Sequence, residues 1–332
     1  MTYSEIIKEL KNKIYKPIYF LFGEEPYFID KITDYIADNV LNESEKAFNQ
    51  TVIYGKDTQT EDIINSAKRF PMMANHQVII VKEAQNLKNI DNLVYYAEQP
   101  LKSTILVINY KYKKLDKRTK LYKTLSKNAV LFESKKLYEN QIPAWINTYL
   151  KDKKYTADPV AVQLLTEFLG TDLGKISNEL EKLIISLPEG TKITPEHIEK
   201  NIGISKDFNN FELQNALINR DILKANRIIM HFARNPKDNP MILTIISLFS
   251  FFSKVLNYHF LKDKNKNNVA AILKINPYFV KDYVKAAKTF NIKKTVAIIS
   301  YLREYDMKAK GYDNVSATQE DLLKELIFKI LH

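Results

Sequence analysis

The 332-residue sequence contains no cysteine and little glycine or proline, and each shortage excludes a class of protein. Without cysteine there can be no disulfide scaffold, no thiol nucleophile and no cysteine-ligated zinc or iron–sulfur site, which fits a reducing cytoplasm. Seven glycines and 11 prolines are too few for an all-β sandwich or barrel built on many tight turns. We therefore expect a mostly helical, cytoplasmic protein of two or three domains.

Long apolar runs are also scarce. The first residues are polar and lead into an amphipathic segment, so we expect no signal peptide. The longest apolar candidate, residues 241–255, is interrupted by polar side chains such as Ser247, Ser250 and Lys254. Crossing a bilayer takes about 18–20 apolar residues. We therefore expect no association with membranes.

Short β-rich runs alternate with helical patterns over the first 135 residues. Several of the runs are continuously apolar, as expected for central strands that are covered on both faces. Residues 30–40 have helical spacing, and Thr60 is a candidate cap for the next helix. This alternation predicts a parallel sheet in an α/β fold. The predicted strands are 18–22, 51–54, 78–81, 104–108 and 130–132.

The strand signal stops after about residue 137, and the remaining patterns are helical. Asp158 and Pro159 are expected at the N-cap and at the first position of one of these helices. A further short helix is expected after Thr194, and everything from residue 207 onward is helical with short breaks. The first three predicted helices are 142–150, 159–169 and 173–187. The predicted fold class is thus α/β followed by all-α, with an α/β domain at 1–137, a small helical domain at 138–204 and a larger helical domain at 205–332.

A parallel α/β domain could hold a nucleotide, but the residues that would bind it are missing. A phosphate-binding loop needs several glycines and a Lys-Ser/Thr pair after the first strand. Here that strand runs into Gly23-Glu24-Glu25, whose carboxylates would repel a triphosphate. After the third strand, Lys82-Glu83 stands where an ATPase places the acidic residues that hold Mg²⁺. The five histidines share no metal-ligand spacing, and we expect no cofactor and no intrinsic catalysis.

The segment Phe70-Pro71-Met72-Met73 is unusually apolar for a connector between a helix and a central strand. Its residue types alone leave two interpretations open. The side chains either pack back into the core, or they form an adaptable binding surface of the kind for which methionine is often used.

The net charge of +11 is unevenly distributed. Residues 102–136 hold 11 basic and 2 acidic residues, whereas residues 1–101 hold 11 basic and 15 acidic ones. Lysine outnumbers arginine 44 to 6, so any contact with nucleic acid should be to phosphate and independent of base sequence. The alternative is a solvated basic surface. The candidate phosphate contacts are Lys111, Lys113, Lys114, Lys117, Arg118 and Lys120.

Several motifs occur in a defined order along the chain. They are Tyr19 to Ile29, Phe48-Asn49, Phe70 to Met73, Val78 to Ala84, Leu115 to Arg118, Asp172 to Leu183 and Asn210 to Leu217. In this order they resemble the delta subunit family of bacterial DNA polymerase III, part of the loader of the sliding clamp. The resemblance extends over nearly the whole chain.

The resemblance implies an AAA+-like domain without ATPase activity, a small helical lid domain, and a helical collar that holds a pentameric loader together. In the family a hydrophobic pair enters a pocket on the sliding clamp, the beta subunit. That pair corresponds here to Met72 and Met73, with Phe70 and Pro71 beside it. The implied partners are the clamp, the gamma/tau and delta prime subunits through the collar, and primed DNA. The implied function is to bind and open the clamp during replication.

Two other classes of function remain open. An active AAA+ ATPase, such as a helicase loader, would bind ATP as an isolated chain, and Gly23-Glu24-Glu25 argues against that. A stand-alone, sequence-independent DNA-binding protein would bind DNA tightly without any other loader subunit.

Overall fold

The computed structural model describes residues 1–314 and 316–332, which form two compact units, 1–137 and 138–332. The boundary between the units falls where the strand signal of the sequence weakens. The second unit contains both of the predicted helical domains, and their separation at residue 205 stays a prediction.

The first unit is built on a parallel five-stranded sheet with the strand order β2-β3-β4-β1-β5. All five predicted strands are present, and each is longer than predicted by at least one residue. The strands are β1 (Ile18–Gly23), β2 (Gln50–Tyr54), β3 (Gln77–Lys82), β4 (Thr104–Lys111) and β5 (Val130–Ser134). The helices are α1 (Tyr3–Lys11), α2 (Pro26–Asn39), α3 (Glu43–Asn49), α4 (Thr60–Ala67), α5 (Val94–Ala97) and α6 (Lys120–Asn128).

Successive residues of the central strands fill two cores, one on each face of the sheet. In β1, Tyr19 and Leu21 pack in the core that contains α1 and α2. Phe20 and Phe22 pack in the opposite core, which contains α4 and α6. β1 is buried along its whole length. The continuously apolar runs in the sequence are therefore strands covered on both faces, as predicted.

Two predicted helix starts in this unit are wrong. Thr60 does not cap α4 but is its first residue, and its hydroxyl instead donates a hydrogen bond to the carbonyl of Lys88 at 2.8 Å. α2 begins at Pro26, four residues before the predicted start. It begins there because proline suits the first turn of a helix and the Glu25 carboxylate accepts the N–H of Tyr27 at 3.0 Å.

The second unit is helical except for one short pair of strands. The prediction that no strand follows residue 137 is wrong, because β6 and β7 pair in parallel. Asp158 is the N-cap residue of its helix, as predicted, but its carboxylate pairs with Lys192 instead of capping the helix. The strands are β6 (Thr156–Ala157) and β7 (Lys192–Ile193). The helices are α7 (Ile142–Asp152), α8 (Pro159–Leu169), α9 (Leu173–Ser186), α10 (Pro195–Ile202), α11 (Asn210–Asn219), α12 (Ile222–Arg234), α13 (Met241–Phe260), α14 (Lys266–Leu273), α15 (Val280–Thr289), α16 (Ile292–Ala309) and α17 (Gln319–Leu331).

Helix α13 extends further than the apolar run noted in the sequence. It has 20 residues and is long and apolar enough, by length and composition alone, to cross a membrane. Leu248, Phe252 and Val255 are buried in the core of the second unit, where α13 packs against α16 and α15. This packing accounts for the apolar residues on the buried face of the helix, whereas Leu243 and Ile246 are each 54% exposed.

Glu167 of α8 is the one acidic residue in the described part of this unit whose pKa rises to about 7, and the main cause is burial. Glu139 raises the pKa further, whereas a 2.8 Å hydrogen bond from Gln163 and the charge of Lys254 oppose the rise. The folded state binds the Glu167 proton more tightly than the unfolded chain does. Protonated Glu167 therefore contributes fully to stability below about pH 4.5, and this contribution is lost as the pH rises through about 7.

We therefore expect Glu167→Gln to remove this part of the pH dependence and to stabilise the protein by about 2 kcal/mol at pH 8. Urea unfolding at pH 5 and pH 8 measures the effect. Glu189→Gln, a change at an exposed carboxylate, serves as the control and should leave the pH dependence as it is in the wild type. Equal pH dependence in the wild type and Glu167→Gln would contradict the assignment.

Candidate functional site

The two candidate sites of the first unit lie at opposite edges of the sheet. In a parallel sheet all amino ends of the strands lie at one edge and all carboxyl ends at the other. The segment 68–76 leads from α4 to the amino end of β3. The turn Gly23-Glu24-Glu25 follows the carboxyl end of β1. The amino edge therefore carries the apolar segment, and the carboxyl edge carries the turn where a nucleotide would bind in an active ATPase.

The apolar segment at the amino edge points its large side chains into solvent. Phe70 is 75% exposed and Met72 is 63% exposed, and Met73 is as exposed as in an extended chain. Only Pro71 is partly buried. The interpretation that these side chains pack into the core is therefore wrong. A cluster of exposed apolar side chains of this kind is typical of a surface that contacts another protein.

Met73 also has an unusual backbone conformation. Its φ of 51° lies in the left-handed region, which residues with a side chain seldom adopt. Holding a non-glycine residue there costs about 1 kcal/mol or more. Met73 thus combines a strained backbone conformation with a fully exposed side chain.

Asn49, the last residue of α3, holds this segment from one side. Asn49 is buried, and its side-chain amide forms hydrogen bonds with both the N–H and the carbonyl of Met72. The Met72 N–H donates to Asn49 Oδ1 at 2.6 Å, and Asn49 Nδ2 donates to the Met72 carbonyl at 2.9 Å. The turn is therefore fixed at the residue before Met73.

Gln77, the first residue of β3, holds the segment from its other end. Its Nε2 donates to the carbonyl of Arg69 and, at 2.8 Å, to Thr104 Oγ1. The Thr104 hydroxyl in turn donates to the carbonyl of Ala67 at 2.8 Å. The exposed side chains thus extend from a backbone that is anchored before and after them. Neither Asn49 nor Gln77 was predicted as a site residue, because amide side chains that bond backbone groups leave no periodic signal in a sequence.

At the carboxyl edge, the turn after β1 is closed against the end of β5. Gly23 has a φ of 130°, and a Cβ atom there would lie 2.1 Å from the Ser134 carbonyl oxygen. The Glu25 N–H donates to that same oxygen at 3.2 Å, and the Ser134 hydroxyl donates to the Glu25 carbonyl at 2.6 Å. The Glu25 side chain is buried and occupies the N-terminus of α2, where a phosphate would otherwise be bound. This geometry suits a structural turn and not a phosphate cradle.

The six candidate phosphate contacts lie in and around the loop between β4 and α6. Leu115, Leu121 and Leu125 of the same stretch are buried. The Asp116 carboxylate, which accepts hydrogen bonds from Arg118, has its pKa lowered to about 2 by that interaction. Lys117 is exposed. The local partners of the other five are Asp30 for Lys111 at 2.6 Å, the Gln85 carbonyl for Lys113 at 3.2 Å, Glu24 for Lys114 at 3.2 Å, Asp116 for Arg118 at 2.8 Å and Glu98 for Lys120 at 2.7 Å.

The described residues contain no cluster of three or more histidine, aspartate or glutamate side chains that could hold a metal ion. Four of the six candidate phosphate contacts form ion pairs with acidic neighbours on the same unit. Surface ion pairs of this kind are worth about 1 kcal/mol or less, so a polyanion could still compete for these lysines. Their role as DNA contacts stays a prediction.

Comparison with known proteins gives consistent matches over both units. The family model for the DNA polymerase III delta subunit matches residues 19–135, and the model for the C-terminal domain of that subunit matches residues 207–328. The DNA polymerase III subunit delta of Bacillus subtilis (strain 168) is 26% identical, and the match covers 93% of this chain and 92% of that protein. The probable DNA polymerase III subunit delta of Aquifex aeolicus (strain VF5) is 22% identical, with coverage of 93% and 91%.

Among solved structures, the Bacillus subtilis DNA clamp loader delta protein is similar over 99% of both chains, with a TM-score of 0.55 and 24% sequence identity. The similarity includes the α/β unit and the helical unit. The expected fold class, α/β with a parallel sheet followed by an all-α region, is therefore confirmed.

Proposed function

The chain belongs to the DNA polymerase III delta subunit family, and from this premise we propose that it binds the sliding clamp through Met72 and Met73 and opens it for loading onto primed DNA. The observation that supports this proposal most directly is the anchored, exposed turn at the amino edge of the sheet. Phe70 and Pro71 belong to the same surface.

The chemistry of the turn suits insertion into an apolar pocket. Burying a methionine side chain stabilises a complex by about 1.5–3 kcal/mol, which is enough for each residue to act as a hot spot. Methionine is flexible and polarizable, and it adapts to the shape of a pocket. Because Asn49 and Gln77 already order the backbone, little backbone conformational entropy is lost when the surface is covered.

Opening of the clamp requires no chemical step in this chain. A protein that binds the open form of a ring more tightly than the closed form shifts the equilibrium toward the open form by that difference in affinity alone. The turn at Gly23-Glu24-Glu25 is closed against Ser134, so we propose that the chain has no ATPase activity of its own. ATP would then act on partner subunits and control whether this surface is accessible.

The remaining parts of the proposal concern partners and location. We propose that the helical region from residue 205 onward joins the other loader subunits, gamma/tau and delta prime, and that the basic loop after β4 faces primed DNA within the complex. The family acts in replication, so the proposed compartment is the cytoplasm. Of the six candidates, Lys117 is the one we most expect to contact phosphate. Its side chain is exposed, whereas each of the other five contacts an acidic side chain or a carbonyl of the same unit.

Release of the clamp from circular DNA tests this function. Clamps assembled on a nicked circular plasmid cannot slide off an end, so only ring opening releases them. We expect the isolated chain to release the clamp without any nucleotide, as measured by gel filtration of the labelled clamp. A clamp whose interfaces are closed by cross-links is the control and should stay on the DNA. Binding without release would contradict the opening step, and release that depends on ATP would favour the active ATPase.

A further inference from the structure

We propose that Phe48 is a third anchor of the clamp-binding surface and that Asn49 is the positioning residue that joins it to the Met72-Met73 turn. This inference rests on the proposed function and extends it to a second element of the fold. The turn comes from the connector between α4 and β3, whereas Phe48 and Asn49 come from α3.

The end of α3 and the Met72-Met73 turn meet at the amino edge of the sheet. α3 ends at Asn49, and β2 begins at the next residue. Gln50 of β2 is in register with Val78 of β3, the strand that follows the apolar segment. Two segments that enter adjacent parallel strands in register must approach each other where the strands begin.

Asn49 makes this approach a specific contact. Its amide accepts from the Met72 N–H and donates to the Met72 carbonyl, so it pairs with Met72 as a backbone residue of a neighbouring strand would. Asn49 Nδ2 also lies 3.1 Å from the carbonyl of Glu45 in the preceding helical turn. The amide therefore links α3 directly to the exposed turn, and its loss would leave both backbone groups of Met72 without these partners.

Phe48 is the residue next to Asn49, and it is 73% exposed. Adjacent Cα atoms are about 3.8 Å apart, so the Phe48 backbone lies next to the residue that contacts Met72. α3 is otherwise polar, with the sequence Glu-Ser-Glu-Lys-Ala-Phe-Asn. An exposed phenylalanine at the end of a polar helix adds nothing to the core, and aromatic residues are enriched among the hot spots of interfaces.

The surroundings of Phe48 match the anatomy of a protein interface. Phe48, Met72 and Met73 are all exposed apolar residues, and we infer that they form the apolar centre. Glu43 and Lys46, which form a 2.7 Å ion pair on the same helix as Phe48, are charged residues of the type expected at its rim. An apolar centre within a polar rim is the usual arrangement of a specific binding patch.

The first test compares Phe48→Ala with Tyr112→Ala. Tyr112 is a matched control because it is 65% exposed and follows the carboxyl end of β4, at the opposite edge of the sheet. We expect Phe48→Ala to weaken binding of the full chain to the purified clamp by about tenfold, which corresponds to about 1.4 kcal/mol. Tyr112→Ala should bind as the wild type does. Surface plasmon resonance with immobilised clamp measures both affinities.

The second test separates positioning by Asn49 from a general effect on folding. We expect Asn49→Ala to weaken clamp binding by about tenfold in the wild type but by less than about twofold in the Met72→Ala/Met73→Ala background, because coupled residues are not additive. Asn49→Asp keeps the acceptor for the Met72 N–H but sets a carboxylate oxygen against the Met72 and Glu45 carbonyls, so it should weaken binding at least as much as Asn49→Ala. An equal loss in both backgrounds would overturn the positioning role.

The outcomes distinguish this inference from the proposed function. If the wild type does not bind the clamp at all, the proposed function fails. If the wild type binds, Met72→Ala/Met73→Ala binds far more weakly and Phe48→Ala binds as tightly as Tyr112→Ala, the clamp-binding turn stands and the third anchor is refuted.

Discussion

Replacing both Met72 and Met73 by alanine is expected to weaken binding of the sliding clamp by a factor of about 10²–10⁴. The side chains of both residues are exposed in the isolated chain, so most of the Met72 surface and all of the Met73 surface are available for burial in a complex. Each truncation removes about 1.5–3 kcal/mol of burial, and every 1.4 kcal/mol changes the affinity tenfold. Retention of the clamp on immobilised chain, followed by titration calorimetry, measures the loss.

The double substitution should not affect folding, because neither side chain contributes to the core. Its unfolding temperature is expected to equal that of the wild type, which makes loss of binding a direct report on the surface. A matched control is the exchange of two other exposed apolar residues of the same unit, Tyr95→Ala and Tyr112→Ala, which lie outside the turn. Equal retention of the clamp by Met72→Ala/Met73→Ala and the wild type would refute the site.

The two methionines are not expected to contribute equally. Met73 is fully exposed and has a left-handed backbone conformation, whereas the backbone of Met72 is bonded to Asn49. Met73 is therefore placed at the tip of the turn, where insertion into a pocket is deepest. We expect Met73→Ala to account for the larger share of the loss.

The sequence carried most of the information about the sheet. The runs that became β1, β3 and β4 are continuously apolar, and burial on both faces requires that pattern. The short pair β6 and β7 was missed, because two-residue strands leave no periodic pattern. The start of α2 was also missed, because it depends on a hydrogen bond from the Tyr27 N–H to the Glu25 carboxylate, which no periodic pattern indicates.

The residue types of the candidate site could be predicted from the sequence, but the side chains that hold its backbone could not. Phe70, Met72 and Met73 stand out from the sequence because apolar connectors are unusual, yet composition could not decide between core and surface. In the structure, the side-chain amides of Asn49 and Gln77 hold the backbone of this segment, and its large apolar side chains remain exposed to solvent. The contact of Asn49 with Met72 joins residues that are 23 positions apart, so no local pattern predicts it.

Gly23→Ala is expected to destabilise the protein by about 3 kcal/mol or more and to lower its unfolding temperature by about 10 °C. The new Cβ atom would lie 2.1 Å from the Ser134 carbonyl oxygen, a backbone atom that is itself bonded to the Glu25 N–H. The φ of 130° adds strain for any residue with a side chain. Thermal unfolding followed by circular dichroism measures the shift.

Gly174→Ala is the control for this substitution. Gly174 lies in the first turn of α9, where the new methyl group would meet only a flexible carboxylate oxygen of Asp172 at 3.3 Å. Alanine favours the helix by about 1 kcal/mol over glycine, so this variant should unfold at or slightly above the wild-type temperature.

The Gly23 result separates two explanations for a glycine at the end of β1. In a phosphate-binding loop, glycine is needed so that a ligand can approach the backbone, and an alanine variant of the unliganded protein would keep its stability. In this fold, glycine is needed because β1 and β5 approach each other there, and Glu25 then closes the turn over the N-terminus of α2. An unchanged unfolding temperature for Gly23→Ala would therefore contradict the structural role and would reopen the question of nucleotide binding at this edge.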